Sequence, residues 1–200
     1  PFTYLFLENL SKTYPNTYII AGTIPEKKGD KIYNSCPIFY QGQLVDIYRK
    51  INLYDINIPG FEFYESKVLT PGDKPVSITT QYGNIGFGIC FDLRFPNLAE
   101  YYRDQDCNLI IYPGAFNMKT GELHWELLQR ARALDNKCYV IGCSIANDSN
   151  AEFKAWGESM IVDPWGKVIK KLGKDEDILI SELDFNVNKE IKQMIPTFLT

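Results

Sequence analysis

The pattern of apolar and polar positions divides the chain into short strands and a few helices. Short apolar runs bounded by turn residues predict strands, whereas apolar residues at intervals of three and four predict helices. The predicted helices cover residues 5–14, 96–102, 121–135 and 188–194. The predicted strands cover residues 17–22, 32–40, 43–48, 76–80, 84–89, 108–112, 139–144, 158–163, 167–171 and 178–183.

The connections between these elements indicate the fold class. Residues 32–48 predict a hairpin that turns at Gln41-Gly42, and residues 84–112 predict a β-α-β unit. Residues 52–73 contain Pro59-Gly60 and Pro71-Gly72 with little periodicity, which predicts a long loop of the kind that is usually functional. Hairpins mixed with helices predict a layered α/β domain, in which two sheets could pack face to face.

Composition narrows the class of protein. The chain has 200 residues, of which 45% are hydrophobic, and no linker divides it, so we predict a single domain over residues 1–200. The net charge of −4, without a basic run, argues against nucleic acid as a partner. No apolar stretch approaches the roughly 20 residues that span a bilayer, so we expect no membrane partner.

The cysteines and the single histidine bear on metals and on the compartment. The five cysteines lie without CxxC spacing at positions 36, 90, 107, 138 and 143, so we predict neither a metal site nor another cofactor. Such a set suits a reducing compartment, and we expect the cytoplasm, or the mitochondrion if a targeting peptide precedes residue 1. Because Pro1 is no natural initiator, we interpret the chain as a fragment.

Cys90 is the first candidate for chemistry. It lies where an apolar, glycine-containing strand meets a helix that opens at Pro96. A nucleophile belongs at such a junction, since a helix N-terminus and a nearby cation favour the thiolate. The alternative is an inert cysteine that acts as a small core hydrophobe.

Three charged residues could accompany Cys90, and each has a structural alternative. Lys50 ends a hairpin strand, where lysine is usually solvated, and Glu65 lies on the long loop, where a surface carboxylate is the default. Arg94 follows Cys90 by four residues and could instead form an ion pair. A Cys-His catalyst would have to use His124, but nothing around His124 is typical of one.

Seven ordered segments, spanning nearly the whole chain, resemble the nitrilase superfamily of carbon-nitrogen hydrolases. Within that superfamily, residues 53–60 and 113–121 are most similar to the omega-amidase branch. The segments are residues 22–26, 48–50, 88–96, 112–117, 124–133 with Asp135-Asn136, 156–159 and 162–166.

The resemblance implies a fold and a set of site residues. The fold is a four-layer αββα sandwich that usually forms homodimers or larger oligomers, here without its N-terminal part and C-terminal tail. Cys90 matches the nucleophile, Lys50 the catalytic lysine and Glu65 a second, supporting glutamate. The general-base glutamate is expected upstream of residue 1. Asn52 departs from the pattern, because close relatives commonly have histidine there, and we expect it to tune the site.

The implied reaction is hydrolysis of a small terminal amide through a cysteine thioester. For the omega-amidase branch the substrates are 2-oxoglutaramate and 2-oxosuccinamate. The backbone N–H of Phe91 is a candidate oxyanion donor. Arg94 is a candidate for binding the substrate carboxylate, because its planar fork pairs with carboxylates. The alternatives are a deaminated glutathione amidase of the same superfamily and a catalytically silent oligomeric scaffold.

Overall fold

The computed structural model describes residues 2–59 and 61–196. These residues fall into two compact units, which divide between Val76 and Ser77 into an N-terminal and a C-terminal unit. Each unit combines strands with at least one helix, so the predicted α/β class is confirmed.

The N-terminal unit is built around one long central strand. Strand β3 pairs along one edge with β4 and along the other with β2 and then β1, always antiparallel. Helix α1 packs on β3 and β4, and Ser11 on α1 accepts a hydrogen bond from the N–H of Gly42 in the predicted β3–β4 turn. The elements are α1 (Phe2–Thr13), β1 (Ile19–Ile20), β2 (Ile24–Lys28), β3 (Lys31–Tyr40) and β4 (Gln43–Arg49).

After β4 the chain makes an excursion over residues 50–72, closed by a hydrogen bond from the Gly72 N–H to the Lys50 carbonyl. The prediction of an irregular loop over residues 52–73 is wrong in part. The excursion contains the antiparallel pair β5 (Asp55–Ile58) and β6 (Phe61–Tyr64), followed by a 3₁₀ turn at Glu65–Lys67. Residues 55, 57 and 58 of β5 are exposed, so this strand carries no core-facing apolar run for the sequence to reveal. Of the predicted Pro59-Gly60 turn, Gly60 lies outside the described residues.

The C-terminal unit is a six-stranded sheet in the order β12-β11-β10-β9-β8-β7. The three central strands, β8, β9 and β10, run parallel and are joined by crossovers that contain α2 and α4. Because parallel crossovers are right-handed and both proceed in the same direction, both helices lie on one face, where they contact each other. The elements are β7 (Ser77–Thr80), β8 (Gly83–Phe87), α2 (Pro96–Asp104), β9 (Cys107–Gly114), α3 (Met118–Thr120), α4 (Glu126–Asn136), β10 (Tyr139–Ser144), β11 (Met160–Val162), β12 (Val168–Lys171) and α5 (Asn186–Met194).

Three further elements differ from the sequence prediction. The strand predicted at residues 178–183 is wrong, because this segment pairs with no described strand and leaves Ile178 and Ile180 exposed. The strand predicted at 158–163 is shorter, since Glu158 has a left-handed φ of 56° and β11 begins at Met160. Strand β2 was not predicted, because its Pro-Glu-Lys-Lys run is mostly polar.

Among the described residues, no helix is both long and apolar enough to cross a membrane.

Candidate active site

Cys90 lies at a strained turn in the C-terminal unit. It follows β8 after two residues and opens a 3₁₀ helix at Cys90–Arg94, with a left-handed φ of 49°. A residue other than glycine rarely adopts this conformation, which clusters at functional sites. Asp92 holds the turn closed, because its buried carboxylate accepts the N–H of Ile89 at 2.9 Å and its own N–H donates to the Ile89 carbonyl at 3.0 Å.

The turn lies at the carboxyl ends of two neighbouring parallel strands. The N–H of Gly88 donates to Ile111 on β9, and the Cys90 thiol donates to the carbonyl of Ala115 just beyond β9 at 3.5 Å. A Cβ on Gly114 would lie 2.7 Å from Cys90 Cα, so no side chain fits there. In open α/β sheets, ligands bind in the crevice outside the carboxyl ends of the strands.

Buried polar groups support the turn from behind. Arg132 on α4 is 7% exposed and donates to the Leu93 carbonyl at 3.1 Å, across 39 residues of chain. Tyr102 on α2 donates to the Phe87 carbonyl at the end of β8. The Tyr112 ring packs against Gly88, and burial raises the pKa of Tyr112 well above its ordinary value, so its hydroxyl stays neutral.

Arg94 lies at the far end of the same 3₁₀ helix. Its guanidinium is 4.8 Å from the centre of the Phe116 ring and 5.9 Å from that of Phe91. Its Nη1 is 3.2 Å from Nδ1 of His124. The described contacts of this guanidinium are therefore with two aromatic rings and one imidazole.

Lys50 lies directly after β4 in the N-terminal unit, and the alternative of a solvated lysine is wrong. Its side chain is 1% exposed, and its ammonium lies 2.6 Å from Oε2 of Glu65. The backbone is held on both sides, since its N–H donates to Asn34 and its carbonyl accepts from Gly72. An ammonium buried this deeply needs a charged partner, and Glu65 supplies one.

Glu65 opens the 3₁₀ turn after β6, and the surface-carboxylate alternative is also wrong. Its side chain is 17% exposed, and the oxygen that accepts from Lys50 also accepts the N–H of Tyr54 at 2.7 Å. The Glu65 N–H in turn donates to the Tyr54 carbonyl. The excursion therefore delivers a carboxylate to Lys50 in a fixed orientation.

The structure thus brings the candidates together in two groups. Lys50 and Glu65 are in contact within the N-terminal unit, whereas Cys90, Phe91 and Arg94 share one 3₁₀ helix of the C-terminal unit. Phe91 follows Cys90 directly, but its role as an oxyanion donor stays a prediction. Sequence reasoning missed Asp92, whose signal was a single acidic residue within the otherwise apolar run Cys-Phe-Asp-Leu.

The other cysteines differ from Cys90 in their surroundings. All five cysteines are free of disulfides. Burial raises the pKa of Cys107 to about 12 and raises that of Cys138 still further, so neither is a thiolate near neutral pH. Among the described residues, no group of three or more histidine, cysteine, aspartate or glutamate side chains could hold a metal ion.

Comparison with known proteins identifies relatives along nearly the whole chain. The family model of the carbon-nitrogen hydrolases matches residues 3–193. Omega-amidase NIT2 of Mus musculus is 50% identical over 90% of this chain and 66% of its own length. The corresponding protein of Homo sapiens is 49% identical with the same coverage. The chain therefore spans 66% of the length of these curated relatives.

Solved structures agree with this assignment. The crystal structure of Saccharomyces cerevisiae Nit3, described as a member of branch 10 of the nitrilase superfamily, matches with a TM-score of 0.89 and 42% identity, over 97% of this chain and 69% of that one. The C. elegans NitFhit protein matches with a TM-score of 0.90 and 30% identity, over 96% of this chain and 48% of that one. The predicted α/β fold of the nitrilase type is confirmed.

Proposed function

Because the chain belongs to the carbon-nitrogen hydrolase family, we propose that the protein containing it hydrolyses the terminal amide of a small molecule through a cysteine thioester. The observation that carries this proposal is the left-handed backbone of Cys90 at the carboxyl ends of β8 and β9. A core cysteine needs no such strain, whereas a nucleophile that must project from a strand end does.

The proposed first half-reaction forms a carbon–sulfur bond and releases ammonia. The Cys90 thiolate attacks the amide carbon, and the electron pair of the carbonyl moves onto its oxygen. The Lys50 ammonium and the N–H of Phe91 are the proposed donors to this oxyanion, each of which typically lowers the barrier by about 2.7–4 kcal/mol. When the oxyanion collapses, the carbon–nitrogen bond breaks and the nitrogen leaves as ammonia.

The second half-reaction consumes water. A base activates a water molecule that attacks the thioester, and the Cys90 thiolate leaves as the carboxylate forms. The resemblance assigns proton transfer in both steps to a glutamate expected upstream of residue 1. It assigns to Glu65 the role of orienting Lys50. The contact of Glu65 with the buried ammonium at 2.6 Å supports this division of roles.

We propose omega-amidase activity, with 2-oxoglutaramate or 2-oxosuccinamate as substrate. The identity of about half the residues to proteins named omega-amidase supports this choice. Arg94 is the proposed partner of the substrate carboxylate, since its guanidinium lies over Phe116, one residue beyond the carbonyl that accepts from the Cys90 thiol. The alternative of a deaminated glutathione amidase keeps the same chemistry and changes only the acid end of the substrate.

We also propose that the protein forms a homodimer, that residues 1–200 belong to a single domain and that the protein is cytoplasmic. Leu127 and Leu134 are 64% and 43% exposed, and they lie on the face of α4 opposite its buried residues. Apolar side chains exposed on one helix face support a homodimer. One family model spanning residues 3–193 supports a single domain. Five free cysteines support the cytoplasm as the compartment.

The test is ammonia release from 2-oxoglutaramate by the full-length protein. We expect turnover that Cys90→Ala abolishes and that Cys143→Ala, the matched change at an exposed free cysteine, leaves intact. Preference for deaminated glutathione would move the protein to the sister branch. A protein that folds but hydrolyses neither substrate would support the scaffold alternative, and light scattering would then report the oligomer.

A further inference from the structure

In the contact between Arg94 and His124, one nitrogen donates and the other accepts. Nη1 of Arg94 lies 3.2 Å from Nδ1 of His124. Arginine carries only donors and stays charged in proteins, so Nδ1 must be the acceptor in this contact. The proton of the neutral imidazole therefore lies on Nε2, and the Nδ1 lone pair is directed at the guanidinium.

His124 lies in an irregular turn whose ends are both held. The π-helical turn Gly121–Trp125 connects α3 to α4, and such turns are frequent at functional sites. At one end, a Cβ on Gly121 would lie 2.2 Å from Trp156, so the backbone packs directly on that ring. At the other end, Trp125 is 1% exposed and donates to the Glu158 carbonyl at 2.8 Å.

The guanidinium is consequently held by contacts of different kinds. Phe116 supports its face at 4.8 Å, and His124 accepts from its edge. Phe116 is packed in turn against the buried Trp125, with ring centres 5.0 Å apart. Since Trp125 and His124 are neighbours in the π-helical turn, the same short segment supports both contacts of Arg94.

The position of the guanidinium relative to the nucleophile suggests what this support is for. The Cys90 thiol contacts Ala115 and the Arg94 guanidinium contacts Phe116, so the two groups lie beside consecutive residues. A substrate with a carboxylate a few carbons from its amide needs both a nucleophile and a cation in one site, and these two groups lie on one 3₁₀ helix. The angle of the planar fork then decides whether two parallel hydrogen bonds can form.

We propose that His124 is the positioning residue that aims Arg94 at the substrate carboxylate, and so selects acidic monoamides over neutral amides. This inference rests on the proposed amidase function. His124 touches no reacting atom in this role. Its removal should weaken binding of the acid end and leave the chemical step at Cys90 unchanged.

The test compares an acidic with a neutral amide in the full-length protein. For His124→Ala we expect the KM for 2-oxoglutaramate to rise by about tenfold, which corresponds to about 1.4 kcal/mol of lost binding, with kcat nearly unchanged. The kcat/KM for pentanamide, which has no carboxylate, should stay the same. Asn places an amide oxygen where Nδ1 was, so His124→Asn should recover much of the lost affinity.

Controls separate this role from a loss of folding. Glu122→Ala changes an exposed residue of the same turn and should alter neither KM, and thermal unfolding of each variant establishes that it is folded. In an Arg94→Ala background, adding His124→Ala should raise the KM for 2-oxoglutaramate no further, because the two residues act as one unit.

The outcomes distinguish the two proposals. Turnover of 2-oxoglutaramate with an unchanged KM in His124→Ala, or additive effects in the double variant, would overturn the role of His124 alone. An equal loss on pentanamide would do the same, since it would indicate general damage to the site. Absence of amide hydrolysis by the unmodified protein would overturn the proposed function, and the role of His124 with it.

Discussion

Two consecutive residues, Arg49 and Lys50, each form an ion pair, with Glu26 and Glu65 respectively. The two pairs differ in the number of hydrogen bonds that join them. Arg49 binds Glu26 with two parallel bonds, from Nε at 2.7 Å and Nη2 at 2.6 Å, and Ser35 donates to the same carboxylate. The guanidinium also lies 4.9 Å from the Tyr33 ring. This geometry is what a pair that stabilises the sheet requires.

The neighbouring pair is more deeply buried and less fully bonded. Lys50 is 1% exposed, against 23% for Arg49, and its ammonium meets Glu65 through one oxygen. Burial of an ammonium costs several kcal/mol, and the attraction to one well-placed carboxylate offsets roughly that amount. A lysine kept at such a cost is better explained by chemistry than by stability. The comparison therefore indicates that Arg49 stabilises the fold, and it supports the role in the reaction that we propose for Lys50.

The largest expected effect is that of Lys50→Met on turnover. Loss of an oxyanion donor should lower kcat by about 10²–10³-fold. The matched variant Arg49→Met should instead destabilise the protein by about 1–3 kcal/mol, because it leaves the Glu26 carboxylate without its main partner. Turnover and urea unfolding of both variants measure the two effects. Equal losses of turnover would refute the division between the pairs.

Glu65→Gln should have the next largest effect. A glutamine oxygen can still accept from Lys50 and from the Tyr54 N–H, so this change removes the charge and keeps both hydrogen bonds. We expect kcat to fall by about tenfold, the equivalent of about 1.4 kcal/mol. Glu65→Ala, which loses both bonds, should be worse in turnover and in stability. If the two variants behaved alike in steady-state kinetics, the charge would be the whole effect.

The Glu26 pair should make stability sensitive to acid. Hydrogen bonds from Arg49, opposed in part by burial, hold the pKa of Glu26 below its ordinary value of 4.5. The pair therefore stabilises the fold above that pH, and the stabilisation is lost as the pH falls through the lowered pKa of the folded state. Urea midpoints measured from pH 7 down to about pH 3.5 should fall less in Glu26→Gln than in the unmodified protein. If the urea midpoints of the two proteins fell equally with pH, the Glu26 pair would not be the source of the acid sensitivity.

Asn52→His should have the smallest effect. Asn52 follows Lys50 by two residues and stands where the superfamily resemblance leads us to expect histidine. Because Lys50 already has its charged partner, we expect kcat/KM to change by no more than about twofold, in line with substitutions outside the core. A pH profile of the variant would extend the test. A change as large as that of Glu65→Gln would mean that Lys50 depends on more than Glu65.

Much of the fold was predictable where burial alone determines the pattern. The hairpin of β3 and β4, strand β8 and the end of α4 at Asn136 follow from apolar periodicity and turn residues. Strands β2, β5 and β6 do not, because partner strands define them and their own side chains are mostly polar or exposed. Ile178 and Ile180 alternate as a strand would, but no described strand pairs with them.

The residues of the candidate site could be predicted from the sequence, whereas their contacts could not. Cys90, Lys50 and Glu65 stand in segments that carry the family resemblance, so the sequence could name them. The burial of Lys50, the contact of Arg132 with the Leu93 carbonyl and the contact of His124 with Arg94 depend on residues 15, 39 and 30 positions apart. No local pattern encodes contacts between such distant positions, since each residue taken alone is typical of a solvated surface.

The excursion between Lys50 and Gly72 begins and ends at one backbone hydrogen bond, from the Gly72 N–H to the Lys50 carbonyl. Thr70 is bonded to Ile32 on the same return path, so both stems are fixed to the sheet before the hairpin of β5 and β6 starts. Changes of length or sequence between Ile58 and Phe61 can therefore accumulate without displacing the lysine. In a directed-evolution library, this turn is therefore the part of the excursion to randomise first, while Tyr54, Asp55 and Glu65 are kept.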